Sequence, residues 1–157
     1  MTQMQTATKG DSAPPSYKRI LVGYDGSKNS DRALVRAVAL AKEQKAALRV
    51  LVAVNTVLPV YSPISSTLPE STFEEILQDG KDALAKAVST AKLTLDDVSG
   101  VLLDGHAADE ITRYASENGI DLIVLGRRGV SAVERFLLGG VSSSVISHSK
   151  CDVLVVK

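Results

Sequence analysis

Tryptophan is absent from this 157-residue chain, and aromatic residues make up only 4% of it, so aliphatic side chains must fill its interior. Cysteine occurs once, at Cys151. One thiol cannot form an intramolecular disulfide, and it lacks the CxxC spacing of a redox or zinc site, which points to a reducing, cytoplasmic setting. No charge sign dominates, with 18 Lys plus Arg against 18 Asp plus Glu. A balanced chain has no global field that would favour nucleic acid or an anionic membrane. Eighteen apolar residues never run together, and the opening MTQMQTATKGDSAPPSYK has no continuous apolar core, so neither a membrane span nor a signal peptide is expected.

Several enzyme signatures are missing as well. GxxxxGK[ST] does not occur, which argues against a P-loop NTPase and its phosphate-binding lysine. After the first predicted strand stands GYDG rather than GxGxxG, which counts against a dinucleotide dehydrogenase. The serine-rich GGVSSS is not a G-x-S-x-G nucleophile elbow. The two histidines, His106 and His148, stand apart from any cluster of Cys or carboxylates, so no transition-metal site is expected. His106 reads as a turn residue or as a ligand contact, and His148 as a group that satisfies the end of the last helix.

What is present is a regular alternation of short apolar runs and amphipathic segments. Residues 1–16 are polar, carry Pro14 and Pro15, and read as a disordered tail ahead of a single domain over 17–157. RILVGY is a compact apolar run of the kind that parallel strands show when both faces are covered, and it ends in Asp25-Gly26-Ser27. From Lys28 to Gln44 the positions Leu34, Ala37, Val38 and Ala41 recur at helical spacing, with Ser27, Asn29 and Ser30 as candidate N-caps. LRVLVAV follows as a strand. The next connection, 55–70, holds three prolines and is long enough to be a lid or a passive connector. Ser71 with Glu74 suggests a capping box at the head of a second long helix.

VSGVLLDG is a weaker strand, interrupted by Ser99 and Gly100 as an edge position allows. A helix over about Ala107 to Asn118 follows, with Gly119 at C′. DLIVL, a short helix marked by Val141, Val145 and His148, and DVLVVK complete the pattern. The alternation βαβαβαβαβ predicts an open α/β fold, a parallel sheet with helices on both faces, with ligands beyond the carboxyl ends of its strands.

The stretch GRRGVSAVERFLLGGVSSS, from Gly126 to Ser144, follows a strand and leads into a helix. Its glycines Gly126, Gly129, Gly139 and Gly140 allow backbone to approach an anion closely, and the helix start offers unpaired N–H groups. Spacing alone does not separate such a cradle from a flexible loop.

Three stretches carry a family resemblance: ILVGYDGSKNSDRAL, DGHAADEI, and the C-terminal DLIVLGRRGVSAVERFLLGGVSSSVISHSKCDVLVVK. Together they resemble the universal stress proteins. G-x-x-G, nine residues, then G matches Gly126, Gly129 and Gly139 of that family's ATP-binding motif. The resemblance implies a five-stranded sheet of order 3-2-1-4-5 with a Rossmann-like fold, and a homodimer paired through the C-terminal strand Asp152 to Lys157. It also implies ATP, with Mg²⁺ able to arrive alongside it, in the crevice beyond the strands. Asp25, two residues after Gly23 of the same site, would lie by the ribose, and backbone near Val54 would meet the adenine. Gly126, Gly129, Gly139, Gly140, Val141 and Ser142 would hold the phosphates, with Arg127 and Arg128 within reach. One position departs from the motif, since the family places Ser or Thr where this chain has Gly140. The functional expectation is an ATP-binding stress-response regulator; the alternative is a module that works through protein contacts without nucleotide. A slow ATPase or phosphotransferase would need a catalytic base that the sequence does not identify.

Overall fold

The computed structural model describes residues 16–56, 70–127 and 140–157. The expected tail up to residue 15, most of the 55–70 connection, and Arg128, Gly129 and Gly139 lie outside the described residues. Nine elements alternate along the chain: β1 (Arg19–Gly23), α1 (Lys28–Gln44), β2 (Ala47–Val54), α2 (Glu70–Lys92), β3 (Val98–Asp104), α3 (Ala107–Glu117), β4 (Leu122–Gly126), α4 (Val141–His148) and β5 (Asp152–Val156). All strand pairings are parallel, and the order is β3-β2-β1-β4-β5. This is the expected open sheet, with β3 and β5 at its edges.

The central strand shows why RILVG reads as continuously apolar. Ile20, Leu21 and Val22 are all fully buried, because the sheet is covered on both sides. Ile20 and Val22 share one core with Leu48, Val50, Leu122 and Val124, against apolar residues of α1 and α2. Leu21 points the other way, into a second core with Leu51, Ile123, Leu125, Ile111 and Val145, under α3 and α4. Side chains alternate across a strand, so one apolar run feeds two layers.

Caps fix where the helices start and stop. Of the three candidates for α1, Ser27 is the N-cap: its Oγ accepts the Ser30 N–H at 3.2 Å. α3 ends at Glu117, with Asn118 as C-cap and Gly119 in the left-handed region at φ 59°, the conformation that a C′ glycine supplies. α2 already includes Glu70, so Ser71 lies in its first turn and not at the cap position that a Ser71–Glu74 box requires. The weak strand β3 does lie at an edge, and Gly100 has a second cause: a Cβ there would fall 2.8 Å from Val88 Cγ2 and 2.9 Å from Leu84 Cδ1. The strand is thinned to let α2 sit close.

Candidate functional site

The sheet order reverses between β1 and β4, since β1 continues through α1 to β2 on one side and β4 through α4 to β5 on the other. The strands part there at their carboxyl ends, which is where α/β sheets open a ligand crevice. A cavity of about 230 Å³ occupies this place. Its floor is apolar, made by Leu51 and Ala53 of β2, Ile111 of α3 and Leu125 of β4. Its rim is polar, with Asp25, Ser27, Asn29 and Ser30 on the β1–α1 side and Ser142 facing them from α4.

Two glycines set the shape. At Gly126 a Cβ would lie 2.4 Å from the Asn29 carbonyl oxygen and 2.9 Å from the Ser30 nitrogen, so only glycine lets the end of β4 touch the first turn of α1. At Gly23 a Cβ would run into Leu125 Cδ2 at 2.6 Å. Both residues line the cavity, as do Asp25, Val141 and Ser142. Asp25 Oδ1 accepts the Ser27 N–H at 3.0 Å, which ties the carboxylate to the turn that opens α1.

α4 enters the crevice by its N-terminus. Its N-cap is Gly140, extended at φ −143° and with no side chain to cap the helix, and the first ladder bond runs from the Ser144 N–H to the Gly140 carbonyl. The N–H groups of Val141, Ser142 and Ser143 therefore precede the ladder and have no intrahelical acceptor. With the positive end of the helix dipole they form a surface that favours an anion.

Tyr24 stands at the cavity wall and is nearly fully buried, with its hydroxyl donating to Asp31 Oδ1 at 2.6 Å. Burial first, and then that bond to a carboxylate, push its phenol up to about 12. The ring stays neutral across ordinary pH and acts as wall and donor, not as a base.

The remaining expected residues sit at the margin. Val54 does not line the cavity: it is buried, and its carbonyl accepts the Gly105 N–H at 2.8 Å, while its neighbour Ala53 faces the space. Arg127 is exposed and donates its N–H to Val156 at 2.7 Å. Gly140 adjoins the lining without being part of it. His106 is the N-cap of α3, with Nδ1 3.7 Å from Asp109, and the residue after it, Ala107, reaches the cavity. His148 Nδ1 lies 2.8 Å from the Ser144 carbonyl at the end of α4, in the role expected of it. Among the described residues no group of three or more His, Cys, Asp or Glu could hold a metal ion.

Sequence reasoning missed the apolar floor. Leu51, Ile111 and Leu125 look like any other core residue until the strand order places them at one opening. Ser27, Asn29 and Ser30 were legible only as caps, although a helix that starts three residues after Asp25 brings its first turn to the same opening.

The match of the universal stress protein family model spans residues 16–157. The chain belongs to that family. The universal stress protein YxiE of Bacillus subtilis is 35% identical over 147 residues, covering 90% of this chain and 99% of the relative. Among solved structures, the universal stress protein UspA from Lactobacillus plantarum superposes with a TM-score of 0.78 at 27% identity, covering 92% of this chain and all of that one. A universal stress protein solved in complex with cAMP gives a TM-score of 0.72 at 30% identity, covering 91% and 99%. Universal stress proteins thus share the five-stranded fold and its order with this chain, and nucleotide binding occurs within the family.

Proposed function

We propose that this universal stress protein binds an adenine nucleotide, with ATP as the physiological ligand, and works as a nucleotide-dependent regulator in the stress response. The observation that carries the reading is the crevice itself, an apolar floor between β1 and β4 closed on one side by the uncapped start of α4. An adenine ring suits the floor of Leu51, Ala53 and Leu125, and charged phosphates suit the Val141, Ser142 and Ser143 N–H groups. Asp25 stands by the ribose, and Gly23 and Gly126 let β1 and β4 pack closely enough against their neighbours to shape the crevice. The cAMP complex of a 30% identical relative supports the choice of an adenine nucleotide.

Gly129, Gly139, Gly140 and Arg127 complete the phosphate side in this reading, and the backbone near Val54 the adenine side. Mg²⁺ arrives with the phosphates in this reading. In this reading the protein works in the cytoplasm, in keeping with its single cysteine. It pairs as a homodimer through β5. A second reading, a module that acts through protein contacts with the crevice empty, draws on Gly140, which offers no hydroxyl to a phosphate.

Thermal denaturation with ATP, cAMP, AMP and GTP, with and without Mg²⁺, separates the two readings. Ligand at about 100 times its Kd adds about 2.7 kcal/mol, which raises Tm by roughly 5–10 °C in a domain of this size. No shift at millimolar ATP, and no nucleotide in native mass spectra of the fresh protein, would sink the nucleotide reading. Gly126→Ala is the companion variant: with a Cβ thrust at the Asn29 carbonyl, affinity should fall, and unchanged affinity means the ligand lies elsewhere.

A further inference from the structure

Where β2 leaves the sheet, three hydrogen bonds hold it to the end of β3. The strands pair in register up to Val54 opposite Asp104, and the Gly105 N–H then donates to the Val54 carbonyl at 2.8 Å. Two residues past the strand, the Thr56 N–H donates to Asp104 Oδ1 at 3.0 Å, and the Thr56 hydroxyl donates to Asp104 Oδ2. Both carboxylate oxygens are thus committed to one residue, and these bonds hold the Asp104 carboxyl below its usual range. The side chain continues the ladder beyond the point where backbone pairing stops.

The position of this clamp gives it a consequence for the cavity. Ala53 lies three residues before Thr56, and Ala107 three residues after Asp104; both line the cavity, with Ile111 one turn further along α3. The turn between Asp104 and Ala107 is itself constrained, because Gly105 has φ 156° and a Cβ there would meet Glu110 Oε1 at 2.8 Å. The geometry points to Asp104 as a positioning residue for the nucleotide site, one that locks the β2 wall to the α3 wall through Thr56 and touches no ligand. This rests on the nucleotide reading above for its effect on affinity, and on the hydrogen bonds alone for the clamp.

The same two strands carry a natural control at their other end. Arg49 of β2, half-buried, donates to the exposed Asp97, just ahead of β3, at 2.8 Å, remote from the cavity. Nucleotide titrations of the full chain should therefore contrast Asp104→Ala, Asp104→Asn, Thr56→Val and Asp97→Ala. Asp104→Ala weakens ATP by about fivefold, the scale on which residues without ligand contact modulate a site. Asp104→Asn, which keeps an acceptor for the Thr56 N–H, restores most of the loss, Thr56→Val falls between, and Asp97→Ala leaves affinity unchanged. Equal affinity in Asp104→Ala and the unaltered protein, or an equal loss in Asp97→Ala, overturns the proposal.

Amide hydrogen exchange supplies a readout that needs no ligand. In Asp104→Ala the Val54 and Gly105 amides exchange faster by at least about fivefold, and in Asp97→Ala they do not. If the unaltered chain binds no adenine nucleotide, the nucleotide reading fails while exchange still decides the clamp, and unchanged protection at Val54 and Gly105 overturns it.

Discussion

At the scale of single residues, Gly140 is where this chain departs from the ATP-binding motif that the family resemblance implies, and the structure says what a side chain would meet there. Nothing lies within 4 Å of a Cβ at Gly140, and its φ of −143° is extended backbone that any residue adopts. Serine at an N-cap differs from glycine by only a few tenths of a kcal/mol in helix stability, whereas a hydrogen bond to a charged phosphate contributes about 1.5–3 kcal/mol. Gly140→Ser is therefore expected to leave the Tm of the free protein nearly unchanged and to tighten ATP by about tenfold in calorimetric titration. Weaker or equal binding would mean that the hydroxyl turns back to cap α4. Tyr24 gives a second prediction. Its folded-state phenol titrates at about 12 against 10 in the unfolded chain. The protonated ring is favoured by folding, so its contribution is whole below pH 10 and is lost as pH rises from 10 to 12. A two-unit difference corresponds to about 2–3 kcal/mol. Urea unfolding across that window should show stability falling steeply, and Tyr24→Phe should flatten the slope.

At the scale of elements, the approach of α2 to the sheet decides the geometry beside the cavity. Gly80 sits mid-helix, where glycine costs about 1 kcal/mol relative to alanine. Propensity alone would make Gly80→Ala stabilising. A Cβ at Gly80 would lie 2.4 Å from Val54 Cγ1 and 3.2 Å from Leu102 Cδ1, however, and overpacking of that kind costs about 1–3 kcal/mol. The steric cost outweighs the propensity gain, so Gly80→Ala is expected to lower Tm by a few degrees; a rise would show that α2 can shift outward freely. The sequence carried the elements themselves, because RILVG, LRVLVAV and DLIVL are apolar runs bounded by turn residues. It left the reason for Gly80 and Gly100 hidden, since each answers to a side chain on another element.

At the scale of the whole molecule, β5 is an edge strand whose Val153, Leu154, Val155 and Val156 are all only half-buried. Such an edge is a pairing surface that a second copy would cover. Sedimentation velocity at micromolar concentration is expected to give a dimer, and Val155→Lys a monomer that keeps its circular dichroism. A monomer for the unaltered chain would refute pairing through β5. Zero net charge fits the same picture, since nothing in the overall field opposes self-association.

The sequence by itself determined the alternation of strands and helices, the C′ glycine at Gly119 and, through the spacing of Gly126, Gly129 and Gly139, the family; it narrowed the cap of α1 to Ser27, Asn29 or Ser30, and the structure chose Ser27. These are local properties, written in periodicity, turn chemistry and motif. Strand order came from resemblance and not from pattern, because crossovers of similar length permit several orders. Only the tertiary structure decided that Leu51, Ala53, Ile111 and Leu125 form one floor, that Gly126 lies against the first turn of α1, and that Asp104 reaches across to Thr56. Each of these joins residues from separate elements, and the parallel packing of β3-β2-β1-β4 is what brings them into contact.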